Sequence, residues 1–203
     1  SEMCIRDRPS QPSHHLLLLH TAPRRAKICL MEKELPKLKR IAAVHDISGF
    51  GKCSLTVALP VVSATGVECA CMPTALFSTH TGEFTGWTFR DLTDEMTATA
   101  EHWKRLGLRF DAVYTGYLGS PRQVDVVRGF FDDFGKDAKI IVDPAMADFG
   151  RLYSGFDADF PREMARLCEG ADIILPNITE ACFLLGAEYR EAVSYTHLTL
   201  PTT

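Results

Sequence analysis

The sequence predicts an α/β fold, a mainly parallel sheet with helices on both faces. Short apolar runs typical of buried strands alternate with segments of helical periodicity along the middle of the chain, and this alternation is typical of strand–helix–strand units. Acidic and polar residues follow several of these runs directly, at the strand ends where such sheets place their ligands. No repeat or low-complexity segment interrupts the pattern.

The first predicted unit is a strand at residues 41–44, a glycine-bracketed turn and a helix at residues 53–65. Glycines let the backbone approach a ligand closely, and a helix start offers free N–H groups to an anion. The turn is not a Walker A loop, because Asp46 stands where that motif needs its first glycine and Cys53 where it needs Ser or Thr. The stretch therefore indicates a ligand loop of another kind, with a plain connecting turn as the alternative.

A second strand is predicted at residues 67–72. Residues 73–87 are rich in Thr, Ser and Gly and have no helical period, so they are predicted to form a loop or short hairpin of the kind that often carries function. Residues 89–106 are predicted to form one amphipathic helix, because apolar residues recur at helical spacing up to Gly107.

The remaining segments continue the alternation. The predicted strands are residues 111–115, 139–142 and 172–175, and the predicted helices are residues 121–134 and 160–168, with a last helix beginning near Asn177. Carboxyl ends of parallel strands meet at one edge of a sheet, so the candidate ligand-binding residues near these ends are expected to converge. These residues are Asp46, Gly116, Tyr117, Asp143, Asn177 and Glu180.

Three of these residues suit a hydrated magnesium ion that carries nucleotide phosphates. Asp143 follows a strand directly, and Asn177 and Glu180 stand three apart at a helix start, so they share one face. The alternative is a capping box, with Asn177 at the N-cap and Glu180 three residues on. Spacing alone favours the cap, and the two roles are compatible.

Composition excludes several classes of function. The net charge is −4 and no basic run lies in the middle of the chain, which argues against nucleic acid as a partner. The longest leucine run, residues 16–19, is far too short for a membrane span. Seven cysteines include no C-x-x-C pair, which indicates a reduced, cytoplasmic protein with buried thiols, and Cys69 and Cys71 are expected in the core.

Both ends of the chain look foreign to this fold. Residues 2–8 and 193–203 back-translate to reverse-complementary DNA that resembles a transposon-end sequencing adaptor. We therefore expect residues 1–30 to be adaptor and a non-native leader, with Met31 as the true start. Residues 31–192 are then the N-terminal portion of one domain, with adaptor after it.

Five motifs occur together in the middle of the chain: HDISGFGKCSLTVALP, PTALFSTHTGEFTG, FDAVYTGYLGSP, VDPAM and ADIILPNITEACFLLG. In this order and spacing they resemble the ribokinase-like vitamin kinases, most closely the pyridoxal/pyridoxamine kinases found in Gram-positive bacteria. The resemblance implies a three-layer ribokinase-like fold whose C-terminal part is missing here. It also implies a cytoplasmic enzyme, homodimeric at full length, that passes the γ-phosphoryl of ATP to the 5′-hydroxymethyl group of a B6 vitamer.

The resemblance also assigns roles to residues on the substrate side. It implies that Asp46 contacts the pyridine ring substituents, that Thr81 and Gly82 border the same pocket and that Tyr117 lines it.

On the nucleotide side, the resemblance places Asp143, Asn177 and Glu180 by ATP. Asp143 would lie beside the ATP phosphates and Mg²⁺, and Glu180 would orient Mg²⁺ through water with Asn177 next to it. ATP and Mg²⁺ are thus the expected cofactors, with a monovalent cation such as K⁺ as a further candidate.

The chain departs from the family pattern at two places. Ala147 stands where the family pattern after Asp-Pro has glycine, which could tighten a loop near phosphate. The Gly-x-Gly-Asp segment that supplies the catalytic base and an anion hole would lie beyond residue 192. We therefore expect no catalytic residue in these 203 residues, no turnover by the chain itself, and an exposed sheet edge with poor solubility.

Three other functions stay open. A hydroxymethylpyrimidine kinase of thiamine synthesis shares the fold and an Asp before Ser-Gly, as at Asp46-Ile47-Ser48-Gly49. A non-catalytic vitamer-binding protein would need no downstream segment. A dinucleotide-binding dehydrogenase fits worst, because the first turn lacks Gly-x-Gly-x-x-Gly.

Overall fold

A computed structural model describes residues 38–82 and 84–190. The adaptor and leader predictions for residues 1–30 and 193–203 concern residues outside these ranges. No helix within the described ranges is long and apolar enough to cross a membrane.

The described residues form an α/β fold with two sheets. The strands are β1 (Arg40–Ser48), β2 (Glu68–Phe77), β3 (Phe89–Asp91), β4 (Ala112–Thr115), β5 (Lys139–Val142), β6 (Ala147–Asp148), β7 (Arg151–Leu152) and β8 (Ile173–Ile174). The helices are α1 (Leu55–Ala64), α2 (Thr93–Arg105), α3 (Pro121–Phe134), α4 (Phe160–Cys168) and α5 (Ile178–Leu185). Six strands form the main sheet in the order β3-β2-β1-β4-β5-β8, and β6 pairs with β7.

The predicted mainly parallel sheet is confirmed. Strands β2, β1, β4, β5 and β8 pair in parallel, and within the main sheet of the described residues only β3 is antiparallel to its neighbour. The chain runs from β1 outward to β2 and then back across to β4 and β5. Since parallel crossovers are right-handed, this reversal puts α1 on one face and the next three helices on the other. The reversal lies between β1 and β4, where doubly wound sheets bind their ligands.

Two predicted boundaries are wrong. The predicted helix at residues 89–106 begins only at Thr93, because Phe89–Asp91 pairs with β2 as an antiparallel edge strand. The apolar period of the helix extends into this strand, so the period alone could not mark the border. The predicted loop or short hairpin at residues 73–87 likewise begins only after Phe77, because β2 continues past Pro73 with an irregularity of register after His45.

The face that α2, α3 and α4 cover holds the core. Buried strand residues at alternate positions pack there against apolar side chains of the three helices. They are Ala42, Val44, Met72, Val113, Ile140 and Val142 from the sheet, and Met96, Val124, Val127, Phe130, Phe134, Phe160, Met164 and Leu167 from the helices.

The opposite face is covered less completely. Helix α1 packs there against β1 and β2, while Ile173 at the far edge is 46% exposed. Cys71 shares this face with its register partner Ala43, which in turn pairs with Tyr114, and Cys69 lies two residues before Cys71 on the same face. Both thiols are only partly buried, so the expectation that they lie in the core is wrong.

Candidate active site

Strand β1 ends in the glycine-bracketed turn with which the site begins. Gly49 N donates to Phe77 O at 2.9 Å, and His80 N donates to Phe50 O at 2.7 Å. These bonds join the turn to the segment after β2. Gly51 has φ of +85°, and a Cβ there would lie 2.7 Å from His80 Cβ, so the close approach of the two loops requires glycine.

A cleft of about 620 Å³ opens between these loops and the carboxyl ends of β1 and β4. The structure brings all four residues predicted to bind the substrate to this cleft: Asp46, Thr81, Gly82 and Tyr117. The other lining residues are Ser48, Cys53, Ser54, Phe77, His80, Trp87, Ala145, Asp148, Phe149, Arg151, Leu152, Tyr153 and Ser154.

Asp46 supplies a buried carboxylate to the cleft, with 4% of its surface exposed. Burial raises the pKa of this carboxyl, while hydrogen bonds from Ser54 and Ser48 and the nearby His80 limit the rise. Ser54 has φ of +49°, a conformation that non-glycine residues seldom adopt. The strain at Ser54 thus accompanies a direct contact with the carboxylate.

One wall of the cleft is aromatic. The ring centroid of Phe77 lies 5.4 Å from that of Trp87 and 5.6 Å from that of Tyr117, both edge-on. Burial, with a smaller effect of Asp46 and Asp91, raises the pKa of Tyr117 to about 12. Its phenol is therefore neutral at physiological pH. A carboxylate facing an aromatic wall can bind a flat ring with polar substituents.

A second acidic group lies at the ends of β5 and β8. Burial raises the pKa of Asp143 to about 6. Burial also raises the pKa of Glu180 to about 7, and the negative charge of Asp143 adds to that rise. Two buried carboxyls, one of which raises the pKa of the other, favour a nearby cation.

Asn177 and Glu180 form the predicted capping box of α5. Asn177 Oδ1 accepts from Glu180 N at 2.9 Å, and Glu180 Oε2 accepts from Asn177 N at 2.8 Å. Both side chains also bind the segment after β5: Glu180 Oε1 accepts from Met146 N at 3.2 Å, and Asn177 Nδ2 donates to Ala147 O at 2.8 Å. The cap is observed, and the ligand role of these two residues stays a prediction.

The β6–β7 hairpin lies between the cleft and this acidic group, and sequence reasoning missed it. Its turn is formed by Phe149 and Gly150, with φ of +49° and +74°, and Gly150 N donates to Thr179 Oγ1 at 3.1 Å. Positive φ at both turn residues is typical of tight hairpins. The glycine of the Phe149-Gly150 pair was the one sequence signal for this turn. Ala147, which stands where the resembled family pattern has glycine, is fully buried in the core.

Tyr153 directly follows the hairpin and lies within electrostatic reach of both the cleft carboxylate Asp46 and the acidic residues Asp143 and Glu180. Burial raises its pKa to about 12, and the charges of Glu180, Asp148, Asp143 and Asp46 contribute in that order. Carboxylates of both groups therefore act on one phenol. No sequence pattern marked Tyr153, because its position depends on the hairpin.

A magnesium ion fits the acidic group through water. Among the described residues no cluster of three His, Cys, Asp or Glu side chains could hold a metal directly. Mg²⁺ usually keeps several waters and binds through one or two carboxylates plus phosphate oxygens. Asp143 and Glu180 match that requirement, although backbone N–H groups already occupy part of Glu180.

Comparisons with known proteins support the fold. No family model matches the chain. The chain is similar to a protein assigned as a phosphomethylpyrimidine kinase from Bacteroides thetaiotaomicron, with 48% identity and a TM-score of 0.73 over 76% of this chain and 54% of that one. A second structure of that protein, with pyridoxal, gives 49% identity over the same shares.

The chain is also similar to pyridoxal kinase from Lactobacillus plantarum, with 37% identity and a TM-score of 0.72 over 76% of this chain and 55% of that one. Pyridoxal kinase from Leishmania donovani, solved with ADP and pyridoxamine, shares the fold at 23% identity and a TM-score of 0.63 over 76% of this chain and 55% of that one. The chain spans about half the length of these structures.

Proposed function

We propose that this chain, which resembles the ribokinase-like vitamin kinases in fold and motifs, belongs to an ATP-dependent kinase of B6 vitamers. The reaction would transfer the γ-phosphoryl of ATP to the 5′-hydroxymethyl group of pyridoxal, pyridoxamine or pyridoxine. The observation that carries the proposal is the buried Asp46 carboxylate in a cleft with an aromatic wall, together with the acidic residues Asp143 and Glu180, whose charges act on the same cleft residue, Tyr153, as that of Asp46.

The ring of the vitamer would lie in the cleft. Asp46 would accept hydrogen bonds from the ring substituents, since it is a buried acceptor that faces the cleft. Tyr117 would pack against the ring, and Thr81 and Gly82 would border it. This arrangement positions the hydroxymethyl group without covalent chemistry.

The nucleotide phosphates would lie toward the ends of β5 and β8. Asp143 and Glu180 would hold hydrated Mg²⁺, with Asn177 fixing Glu180 through the capping box. Bound Mg²⁺ would neutralise the phosphate charge that phosphoryl transfer requires to be compensated. A monovalent cation such as K⁺, a homodimer and a cytoplasmic location complete the proposal, and free thiols at the described cysteines support a reducing compartment.

A hydroxymethylpyrimidine kinase is the second candidate. The similarity to a protein assigned to that class favours it, yet a structure of the same protein contains pyridoxal. Both substrates are flat heteroaromatic rings with a hydroxymethyl group, so the cleft alone suits both. A vitamer-binding protein without activity is the third candidate.

Calorimetric titration of the 203-residue chain with pyridoxal and with hydroxymethylpyrimidine separates the first two candidates. We expect pyridoxal to bind more tightly and Asp46→Asn to weaken it about tenfold, because a charge-assisted hydrogen bond is lost. Asp132→Asn, an equal charge change on the exposed side of α3, serves as the control. Tighter binding of the pyrimidine would favour the second candidate.

An ATP-dependent assay for pyridoxal 5′-phosphate distinguishes a complete enzyme from a binding fragment. We expect the chain to bind the vitamer without turnover. Formation of pyridoxal 5′-phosphate would contradict the expectation that the catalytic base lies outside it, and would exclude the purely binding role.

A further inference from the structure

Gln123, near the start of α3, is fully buried yet hydrogen-bonded through both ends of its amide. Its Nε2 donates to Thr74 O at 2.8 Å, to Thr93 Oγ1 at 3.0 Å and to the Asp91 carboxylate at 3.1 Å. Its Oε1 accepts from Gly119 N at 2.8 Å. One side chain thus joins β2, the start of α2 and the loop after β4. A buried amide satisfied in this way fixes the position of every segment it touches.

Thr74 holds the same loop from the other side. Its side chain is fully buried, and its Oγ1 donates to Tyr117 O at 2.8 Å. Residues 117–119 are therefore bound at one end by Thr74 and at the other by Gln123. The two residues are themselves linked through the carbonyl of Thr74, so they act as one network.

The loop held by this network carries an aromatic side chain of the cleft. Tyr117 lines the cleft, and its ring packs 5.6 Å from Phe77 and 5.7 Å from Phe156 between centroids. Neither Gln123 nor Thr74 lines the cleft. Thr74 binds the carbonyl of Tyr117 itself, and Gln123 binds the amide of Gly119 two residues further on. These bonds fix the backbone at and directly after Tyr117, and the direction of its Cα–Cβ bond follows from that backbone.

We propose that Gln123 and Thr74 are positioning residues that hold Tyr117 against the ring of the bound ligand without touching the ligand. This inference rests on the proposed function in one respect, that the ligand is a flat heteroaromatic ring. Part of the affinity for the ring is thereby assigned to buried hydrogen bonds that lie outside the cleft.

The first test needs no ligand. Fluorotyrosine is incorporated into the full chain, and the Tyr117 resonance is identified from Tyr117→Phe. We expect Thr74→Val and Gln123→Met to shift or broaden this resonance, and Thr74→Ser, which keeps the hydroxyl, to leave it in place. Thr115→Val is the control, because Thr115 is equally buried and its hydroxyl has no partner among the described residues. An unchanged Tyr117 signal in both network variants would overturn the proposal.

The second test measures pyridoxal affinity by calorimetry, well below each variant's melting temperature. We expect Thr74→Val and Gln123→Met each to weaken binding about tenfold, with Thr74→Ser close to the parent chain. In the Tyr117→Ala background the same substitutions should have no further effect, because the residue through which they act is gone. If each network substitution still weakened pyridoxal binding by its full factor in the Tyr117→Ala background, the network would act on another part of the site, and the proposal would be overturned.

The two tests also separate this inference from the proposed function. If the parent chain binds no pyridoxal, the proposed function fails, and the Tyr117 resonance still decides whether the network positions the ring. If pyridoxal binds and the network variants bind it as well as the parent does, the positioning role fails while the proposed function stands.

Discussion

Gly116 lies directly against the imidazole of His45: a Cβ built on Gly116 would fall 2.2 Å from His45 Nδ1. His45 is buried, its ring meets Tyr114 edge-on at 4.4 Å, and its Nε2 has no hydrogen-bond partner among the described residues. Burial lowers its pKa to about 4, so the ring is neutral at physiological pH. The glycine in the TGY motif therefore makes room for a neutral histidine.

Gly116→Ala should destabilise the protein by about 1–3 kcal/mol, because the added methyl group overpacks a site that cannot expand. Urea unfolding measures the loss. Gly129→Ala is the matched control: it lies inside α3 with no atom within 4 Å of an added Cβ, and should stabilise by about 0.5–1 kcal/mol. In a His45→Ala background the Gly116 penalty should largely vanish. Equal effects of the two glycine substitutions would contradict the contact.

Glu180→Gln should change how stability depends on pH. The folded pKa of Glu180, about 7, lies above its ordinary value of 4.5. Between pH 4.5 and 7 the folded state therefore keeps a proton on Glu180 that the unfolded state has lost. The stability that this group contributes is fully present below pH 4.5 and is lost as the pH rises through 7. The advantage of the parent chain over the variant should be largest near pH 4.5 and shrink toward pH 8.

Urea unfolding across this pH range tests the Glu180 prediction. Comparing the two proteins cancels the opposite effect of His45, whose lowered pKa removes stability as pH falls from 6.5 toward 4. Glu95→Gln, an exposed change on α2, is the control for the loss of a charge. An advantage that grows with pH would show that Glu180 is ionised in the folded state throughout.

Magnesium should stabilise the chain more at pH 8 than at pH 5. Asp143 and Glu180, with pKa values of about 6 and 7, are ionised at the higher pH and protonated at the lower. Millimolar Mg²⁺ should raise the melting temperature by about 2–4 °C at pH 8 and hardly at all at pH 5, with NaCl of equal ionic strength as reference. Asp143→Asn should abolish the shift. A similar rise at both pH values would place the ion elsewhere.

Thr179→Val should loosen the β6–β7 hairpin. The substitution removes the hydroxyl that accepts from Gly150 N at 3.1 Å, at a cost of about 1 kcal/mol. Hydrogen exchange at the Gly150 amide should become faster, whereas Thr179→Ser should preserve its protection. Equal protection in both variants would mean that the turn is held by its backbone alone.

The sequence predicted elements best where local chemistry marks both ends. Helix α3 begins and ends where expected, because Ser120 caps it by accepting from Gln123 N and Gly135 follows it. The predicted bounds of α4 and β5 are likewise confirmed. Strand β3 was missed because its pairing with β2 is a long-range contact that no local period records.

The candidate site could be predicted where a residue lies near the carboxyl end of a strand. Tyr117 and Asp143 stand just beyond strand ends, and Asp46 lies in β1 two residues before its end; parallel strands bring such positions together. Tyr153 could not be found in this way. It depends on a hairpin of two-residue strands, which are too short to show alternation.

The hairpin has a consequence for the thermodynamics of binding. One part of it, including Phe149 and Arg151, lines the cleft, while Met146, Ala147 and Gly150 are hydrogen-bonded to side chains at the start of α5. A ligand that orders the hairpin from the cleft lowers the entropic cost of ordering it for a ligand on the α5 side, and the reverse holds as well. If a ring ligand and a phosphate ligand both contact the hairpin, each changes the equilibrium affinity of the other by the same factor. The effect of the phosphate ligand on ring affinity then gives the effect of the ring ligand on phosphate affinity.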